Sequence, residues 1–159
     1  MKVIKLTQGK FAIVDDDDYE MLSKYKWCFN YAGYAERRIS KSLGGGIMRM
    51  HRLIMNAQKG HMVDHINMNG LDNRKFNLRI CTKSENMRNR NKTKVNKSGY
   101  KGVIFDKSLW PLKKPWKAQI KINQKNVNLG RFSSKEGAAE AYNKAAKIYY
   151  KEFANLNKI

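Results

Sequence analysis

Residues 92–98, Lys-Thr-Lys-Val-Asn-Lys-Ser, are polar, basic and nearly devoid of apolar side chains, and they interrupt a chain of 159 residues just past its midpoint. A stretch of this kind reads as a linker. The apolar residues on its two sides must then close two separate small cores, because nothing in the stretch itself can be buried. A single domain of this mass buries about 70% of its unfolded surface, and two modules bury less. At 42% hydrophobic and 11% aromatic the chain is nonetheless rich enough in apolar residues to fold on both sides. The expected organisation is a domain over residues 1–91, divided into a scaffold (1–50) and a core (about 51–91), then the basic linker 92–98 and a second domain over 99–159.

Charge narrows the partner. Lys and Arg number 33 against 13 Asp and Glu, for a net charge of +20. Residues 1–50 carry +3, residues 51–98 carry +8 and residues 99–159 carry +9. A self-repelling excess of this size suits a protein that approaches a polyanion, and nucleic acid leads the candidates. No apolar run approaches the roughly 18 residues of a membrane span. The longest basic stretches also lack the Trp/Phe/Leu face of an interfacial helix, and Met1 to Val14 has no continuous apolar core of the signal-peptide kind. Cys28 and Cys81, 53 residues apart, cannot build a four-cysteine zinc site or a disulfide framework and read as reduced thiols of a cytoplasmic protein.

The first fifty residues predict short strands at Val3 to Leu6, Phe11 to Val14, Trp27 to Tyr31 and Tyr34 to Ile39, with Gln8-Gly9 and Ala32-Gly33 as turns. The acidic run Asp15 to Asp18 resembles a metal cluster, but the start of a helix that carries Tyr19, Leu22 and Tyr25 or Lys26 explains it better. Gly44-Gly45-Gly46 lacks the Lys-Ser/Thr of a phosphate loop and reads as a flexible tip. Beyond the linker, strands are expected at Tyr100 to Phe105, Trp116 to Ile122 and Asn126 to Leu129. A helix from about Lys135 to Lys151 follows, opened by a Ser133/Glu136 capping box and presenting Ala138, Ala139, Tyr142, Ala145, Ala146 and Tyr149 on one face.

The chemistry lies in the middle. Val63-Asp64-His65-Ile66-Asn67, Leu71-Asp72-Asn73-Arg74, Asn77-Leu78-Arg79 and Thr82-Lys83-Ser84-Glu85-Asn86 suggest two strands joined by a long polar loop. A Thr82/Glu85 capping box then starts a helix that carries Asn86. Folded back on one another, these elements bring Asp64 and His65 toward Asn86. A carboxylate and an amide oxygen form a hard, partial coordination shell that suits magnesium better than zinc, with manganese a possible substitute. A neutral His65 beside it is placed to take a proton from an attacking water, which describes a phosphodiester hydrolase. Arg74 and Arg79 are candidates for holding phosphate bidentately, although Arg74 equally suits a pair with Asp72. Arg88, Arg90, Lys92, Lys94 and Lys97 continue the basic run along a nucleic-acid backbone. His51 reads as a packing or substrate-proximal residue and His61 as a loop residue.

Asp64-His65, Asn77 twelve residues after the histidine and Asn86 nine residues further resemble the HNH (ββα-metal) nuclease signature, in the variety found in phage and intron-associated homing endonucleases. Met50-His51-Arg52-Leu53-Ile54-Met55 is similar to the segment preceding that signature. The resemblance implies His65 as general base, Asp64 and Asn86 as metal ligands, and Asn77 as the brace of the loop. Asn86 stands where the namesake cluster has its last histidine, which favours magnesium over zinc or nickel.

The segment 99–159, with Ser98 before it, resembles the DNA-binding domain of plant APETALA and ethylene-response factors. The similarity is carried by Ser98-Gly99-Tyr100-Lys101-Gly102-Val103, Trp116-Lys117-Ala118-Gln119-Ile120, Leu129-Gly130-Arg131-Phe132, Glu136-Gly137-Ala138-Ala139, Ala141-Tyr142 and Asn155-Leu156-Asn157. It implies a three-stranded sheet on one helix, with the sheet laid in the DNA major groove. Strand alternation puts Ala118 and Ile120 on the helix, so Lys117, Gln119 and Lys121 face outward. Lys101 and Asn128 are the matching positions on the neighbouring strands. The plant domain's first-strand arginines are replaced by Ile104 and Asp106, so its base preference does not transfer. Trp110 and Trp116 are candidates for stacking on bases, with packing the better reading for Trp116.

The resulting expectation is an α+β protein: a ββα-metal core with an N-terminal β-rich scaffold, then a three-stranded antiparallel sheet packed on one helix. It acts as a monomeric, magnesium-dependent endonuclease on double-stranded DNA and nicks one strand, since one chain offers one active site. A non-catalytic DNA-binding regulator is the alternative, and it is opposed by the presence of all four signature residues. An RNA-binding protein fits less well, because the aromatics lack the pattern of an RNA-stacking sheet.

Overall fold

The computed structural model describes residues 1–90, 96–107 and 113–159. It divides into two compact units, Met1–Met87 and Arg88–Ile159, and both are mixed α+β. Lys92, Lys94 and Trp110 lie outside the described residues, as does most of the expected linker. At the end of the expected linker Ser98 is buried, and its hydroxyl donates to the Val103 carbonyl at 2.8 Å.

The first unit begins with an antiparallel hairpin of β1 (Lys2–Lys5) and β2 (Phe11–Val14), followed by α1 (Asp16–Ser23). Alternation along β2 buries Ala12 and Val14 completely. They join Ile4, Leu6, Leu22, Trp27, Ala35 and Met50 in one core, and the Trp27 indole N–H is satisfied by the Leu22 carbonyl at 2.8 Å. Strands β3 (Cys28–Phe29), β4 (Ala35–Arg38) and β5 (Ile47–Arg49) form a second antiparallel sheet. The short helix α2 (Met50–Ile54) follows, and then the antiparallel pair β6 (Met62–His65) and β7 (Leu78–Cys81), with α3 beginning at Lys83.

The acidic run works differently from the capping role expected of it. Asp15 stands at the N-cap position of α1 but makes no side-chain cap. Its Oδ2 instead accepts the Lys75 backbone N–H at 2.7 Å, and Asp18 pairs with the Lys75 ammonium at 3.0 Å. Asp16, Asp17 and Asp18 still occupy the first turn, where the helix dipole favours negative charge. The N-terminal scaffold therefore grips the end of the β6–β7 loop. A second grip comes from Ile13, whose N–H donates to Leu71 O and whose carbonyl accepts Asn73 N–H, both at 2.8 Å.

In the second unit, β8 (Val103–Phe105), β9 (Trp116–Ile122) and β10 (Lys125–Phe132) form an antiparallel sheet in the order β10-β9-β8, covered by α4 (Lys135–Tyr150). Ala118 and Ile120 are buried under α4, against Ala138, Ala139, Tyr142, Ala145 and Ala146. Tyr150, rather than Tyr149, completes that face. The α4 cap is Ser134, one residue later than expected, and its hydroxyl accepts Gly137 N–H at 3.1 Å. Glu136 instead accepts from the Tyr100 hydroxyl at 3.5 Å. Trp116 packs on the core, its ring 4.8 Å from that of Phe105.

Close approach of sheet and helix depends on Gly102. Its φ is +76°, and an added Cβ would lie 2.1 Å from the Tyr142 ring and 2.7 Å from Gln119 O. Gly102→Ala combines left-handed strain with overpacking. It is expected to destabilise the second unit by about 1–3 kcal/mol, read as a lower denaturant midpoint in a urea titration followed by Trp fluorescence.

Candidate active site

The β6–β7 loop is held from within by asparagine side chains. Asn77 Oδ1 accepts Asn67 N–H at 3.0 Å, while its Nδ2 donates to Asp72 O at 2.7 Å and to Asn67 Oδ1 at 3.0 Å. Asn67 Nδ2 donates to Asp72 Oδ2, and Arg74 grips both oxygens of Asp72 at 2.7 Å. That guanidinium holds the Asp72 carboxyl below the usual carboxylate range. Asn77 therefore spans the loop that leaves His65, and Arg74 is committed to Asp72 within it.

His65 ends β6, opposite Leu78, and is 4% exposed. Its Nε2 lies 3.3 Å from Asn73 Oδ1. With that oxygen as acceptor, the Nε2 proton is fixed and the Nδ1 lone pair is the basic site. The ring is bounded by His51, edge-on at 5.0 Å, and by Tyr34, tilted at 5.7 Å. Burial lowers the pKa of His65, opposed by its bond to Asn73 and by the charges of Asp64 and Asp72. Burial pulls His51 down to about 3, so it stands beside His65 as a neutral ring. Gly70 lets the loop lie against Tyr34, since a Cβ there would fall 2.7 Å from the Tyr34 ring and 2.5 Å from Gly33 O.

Asp64 is directly opposite Arg79 in the β6–β7 pair, and Met62 opposite Cys81. Cross-strand partners share a face. Arg79 Nε and Nη2 both donate to Asp64 Oδ2, at 2.9 and 2.6 Å, with only 14% and 7% of the two side chains exposed. Arg79 was expected on a phosphate and here it braces the carboxylate. Asn86, half-buried on α3, sets its Nδ2 3.8 Å from the Met62 sulfur. The helix start matches the expected capping box: Thr82 N–H donates to Glu85 Oε2 at 2.8 Å and Glu85 N–H to Thr82 Oγ1 at 3.3 Å. The Cys81 thiol is buried, and burial, Asp64 and Glu85 push its pKa up to about 11. It is an inert thiol rather than a metal ligand.

The donor set fits a hard divalent cation. Among the described residues no group of three His, Cys, Asp or Glu side chains converges as a metal cage. A carboxylate from Asp64 and an amide oxygen from Asn86 are the oxygen donors through which these residues could take part in holding such an ion.

The outlying candidates divide. Lys97 is exposed. Lys117 and Gln119 are partly exposed and Lys121 exposed, on the sheet face away from α4, with Asn128 directly opposite Gln119. Arg88 lies over the Tyr150 ring at 5.0 Å, and Arg90 is exposed. Lys101 departs most from expectation. Its ammonium donates to the carbonyls of Arg88 and Arg90, and burial lowers its pKa to about 8. It satisfies backbone acceptors at the end of α3 instead of facing a ligand.

Asn73, within the Leu71-Asp72-Asn73-Arg74 stretch, and Tyr34 carried no signal that placed them at His65. Both became visible only where folding brought them to the His65 ring.

A β-hairpin and helix with an Asp-His pair at the strand end, an asparagine-braced loop and a helical asparagine make the class of protein an HNH-type nuclease. Residues 49–88 match the family model described as HNH endonuclease. Across 158 residues the chain is 32% identical to the uncharacterized HNH endonuclease L560 of Acanthamoeba polyphaga mimivirus, covering 96% of this chain and 77% of that protein. The chain belongs to the HNH endonuclease family. It is a phosphodiester hydrolase, of a family that works on DNA with a divalent metal. No solved structure matches the chain. Among the described residues no helix is long and apolar enough to cross a membrane.

Proposed function

We propose that this chain is a magnesium-dependent, homing-type DNA endonuclease that nicks one strand as a monomer and is targeted by its C-terminal sheet. The observation that carries the reading is the buried His65 imidazole, kept neutral by burial and held through Nε2 by Asn73. A neutral, oriented imidazole takes the proton of a water positioned for attack on phosphorus. Asp64 and Asn86 would hold the cation, which when bound supplies charge stabilisation at the phosphate and the leaving oxygen. Asn77 keeps the loop after His65 from collapsing onto the site, and Arg79 orients the Asp64 carboxylate.

Residues 88–159 hold 18 Lys and Arg against 4 Asp and Glu. Together with the APETALA-like motifs and an uncovered sheet face, that balance supports a DNA-binding role for the second domain, about residues 99–159. Lys117 and Lys121 would contact phosphate while Gln119 and Asn128 meet base edges. Lys94 and Lys97, with Arg88 and Arg90, would contact the DNA backbone.

The test is incubation of supercoiled DNA carrying a cleavage site with magnesium or with chelator. Open circles are expected to accumulate first, and only with magnesium. Linear product arising without an open-circle stage would overturn nicking, and undiminished cleavage in chelator would overturn metal dependence.

A further inference from the structure

The sheet face that α4 leaves uncovered carries a particular selection of side chains. On β9 it presents Lys117, Gln119 and Lys121, because the intervening Ala118 and Ile120 are 0% and 2% exposed beneath the helix. The register sets Gln119 opposite Asn128, Lys121 opposite Asn126, and Lys117 between Arg131 on one side and Ile104 on the other. Ile104 is 44% exposed, an apolar side chain in the middle of a basic and amide-rich surface. A protein core gains nothing from leaving it there.

Base edges in the major groove discriminate among these groups. An amide of Gln or Asn matches adenine, which offers one acceptor and one donor, and an apolar side chain matches the methyl group of thymine. Guanine offers two acceptors and is matched bidentately by arginine, or by lysine where the ammonium is not spent on phosphate. Arg131 is the arginine on this face, and its Nη2 is held by Asp106 Oδ2 at 2.9 Å. The ion pair is partly exposed, at 36% and 28%, and contributes little to stability. For recognition it matters more, because guanidinium and carboxylate must be separated before either meets a G·C pair. Asn128 is also pre-set: its Oδ1 accepts Gly130 N–H at 3.2 Å across the bulge in β10, which turns Nδ2 outward as a donor. No comparable contact restrains the Gln119 amide among the described residues.

We infer that this face selects A·T over G·C base pairs: Gln119 takes adenine, Ile104 takes the neighbouring thymine methyl, and Asp106 withholds Arg131 from guanine. The inference rests on the second domain binding DNA in the major groove. Lys117 and Lys121 flank Gln119 along β9 and supply phosphate contacts that hold register without reading sequence.

The experiment is selection of full-length protein on a randomised DNA duplex in chelator, so that binding is read without cleavage. The wild type is expected to enrich A·T at two or more adjacent positions. Gln119→Ala should lose that enrichment at one position, with affinity for the selected duplex falling on the order of tenfold. Asp106→Ala should admit guanine where the wild type rejects it, while Arg131→Ala should leave the A·T preference intact. Since Asp106 and Arg131 both sit at the surface, the two variants report on recognition and not on folding. Enrichment of G·C, or binding with no preference, would overturn the inference while leaving DNA binding standing. Absence of any DNA binding by the wild type would overturn the DNA-binding reading beneath it as well.

Discussion

Replacing His65 with alanine should slow strand cleavage by about 10²–10⁴-fold, the span that a positioned general base contributes, while affinity for DNA in chelator stays unchanged. The split between cleavage and binding follows from burial. At 4% exposure the imidazole is not a surface contact for the polyanion, so its loss leaves the attractive field of the protein intact. Asn73→Ala tests the same assignment from the other side of the ring. It removes the acceptor 3.3 Å from Nε2 but keeps the imidazole, so both tautomers become accessible and Nδ1 carries the basic lone pair only part of the time. A loss of about 10–100-fold is expected, as for other partners that orient a functional histidine. Because Asn73 is fully buried and its N–H bonds to Ile13 O, each variant should be compared with wild type by circular dichroism at the assay temperature. Wild-type rates in a folded His65→Ala protein would remove His65 from the chemistry.

The portion of this site that the sequence disclosed is the portion built from local rules. The Thr82/Glu85 capping box predicted where α3 begins, because both halves of a capping box lie within one turn. Alternation in β9 predicted which residues face α4, because side chains in a strand change sides at every step. The brace formed by Asn77 came through resemblance and not through periodicity. What stayed hidden depends on partners distant in the chain. Asp15 looked like a helix cap since nothing near it revealed that Lys75, 60 residues on, would supply its N–H. Lys101 looked like a DNA-facing residue because it matches the outward positions of β9, and nothing local shows that its ammonium turns inward to backbone carbonyls. Short elements escaped for a related reason: α2 spans only Met50–Ile54 and β5 only Ile47–Arg49, too little length for either period to emerge. The two adjacent serines before α4 made the same kind of ambiguity, and it is the Ser134 hydroxyl that accepts Gly137 N–H.

The Asp64–Arg79 pair leads to the second large expectation. With 7% and 14% of the side chains exposed, the two charges depend on each other, and removing one partner of a buried pair costs about 3–5 kcal/mol because the other is left uncompensated. Arg79→Met keeps most of the apolar stem and deletes only the guanidinium, so in chelator it should destabilise the first unit by about 3 kcal/mol. Magnesium should then return part of that loss, because a cation held by Asp64 replaces the missing positive charge. A ligand at a hundredfold excess over its dissociation constant stabilises by about 2.7 kcal/mol. The magnesium-induced rise in melting temperature is therefore expected to be larger in Arg79→Met than in wild type, where guanidinium and cation share one carboxylate. The double variant Asp64→Asn with Arg79→Met removes both charges. It should recover stability in chelator and lose its response to magnesium, since no carboxylate remains to hold the ion. If that double variant still gained as much from magnesium as wild type, Asp64 would not be the metal ligand, and Arg79 would have to be reassigned from orienting a ligand to holding the hairpin together.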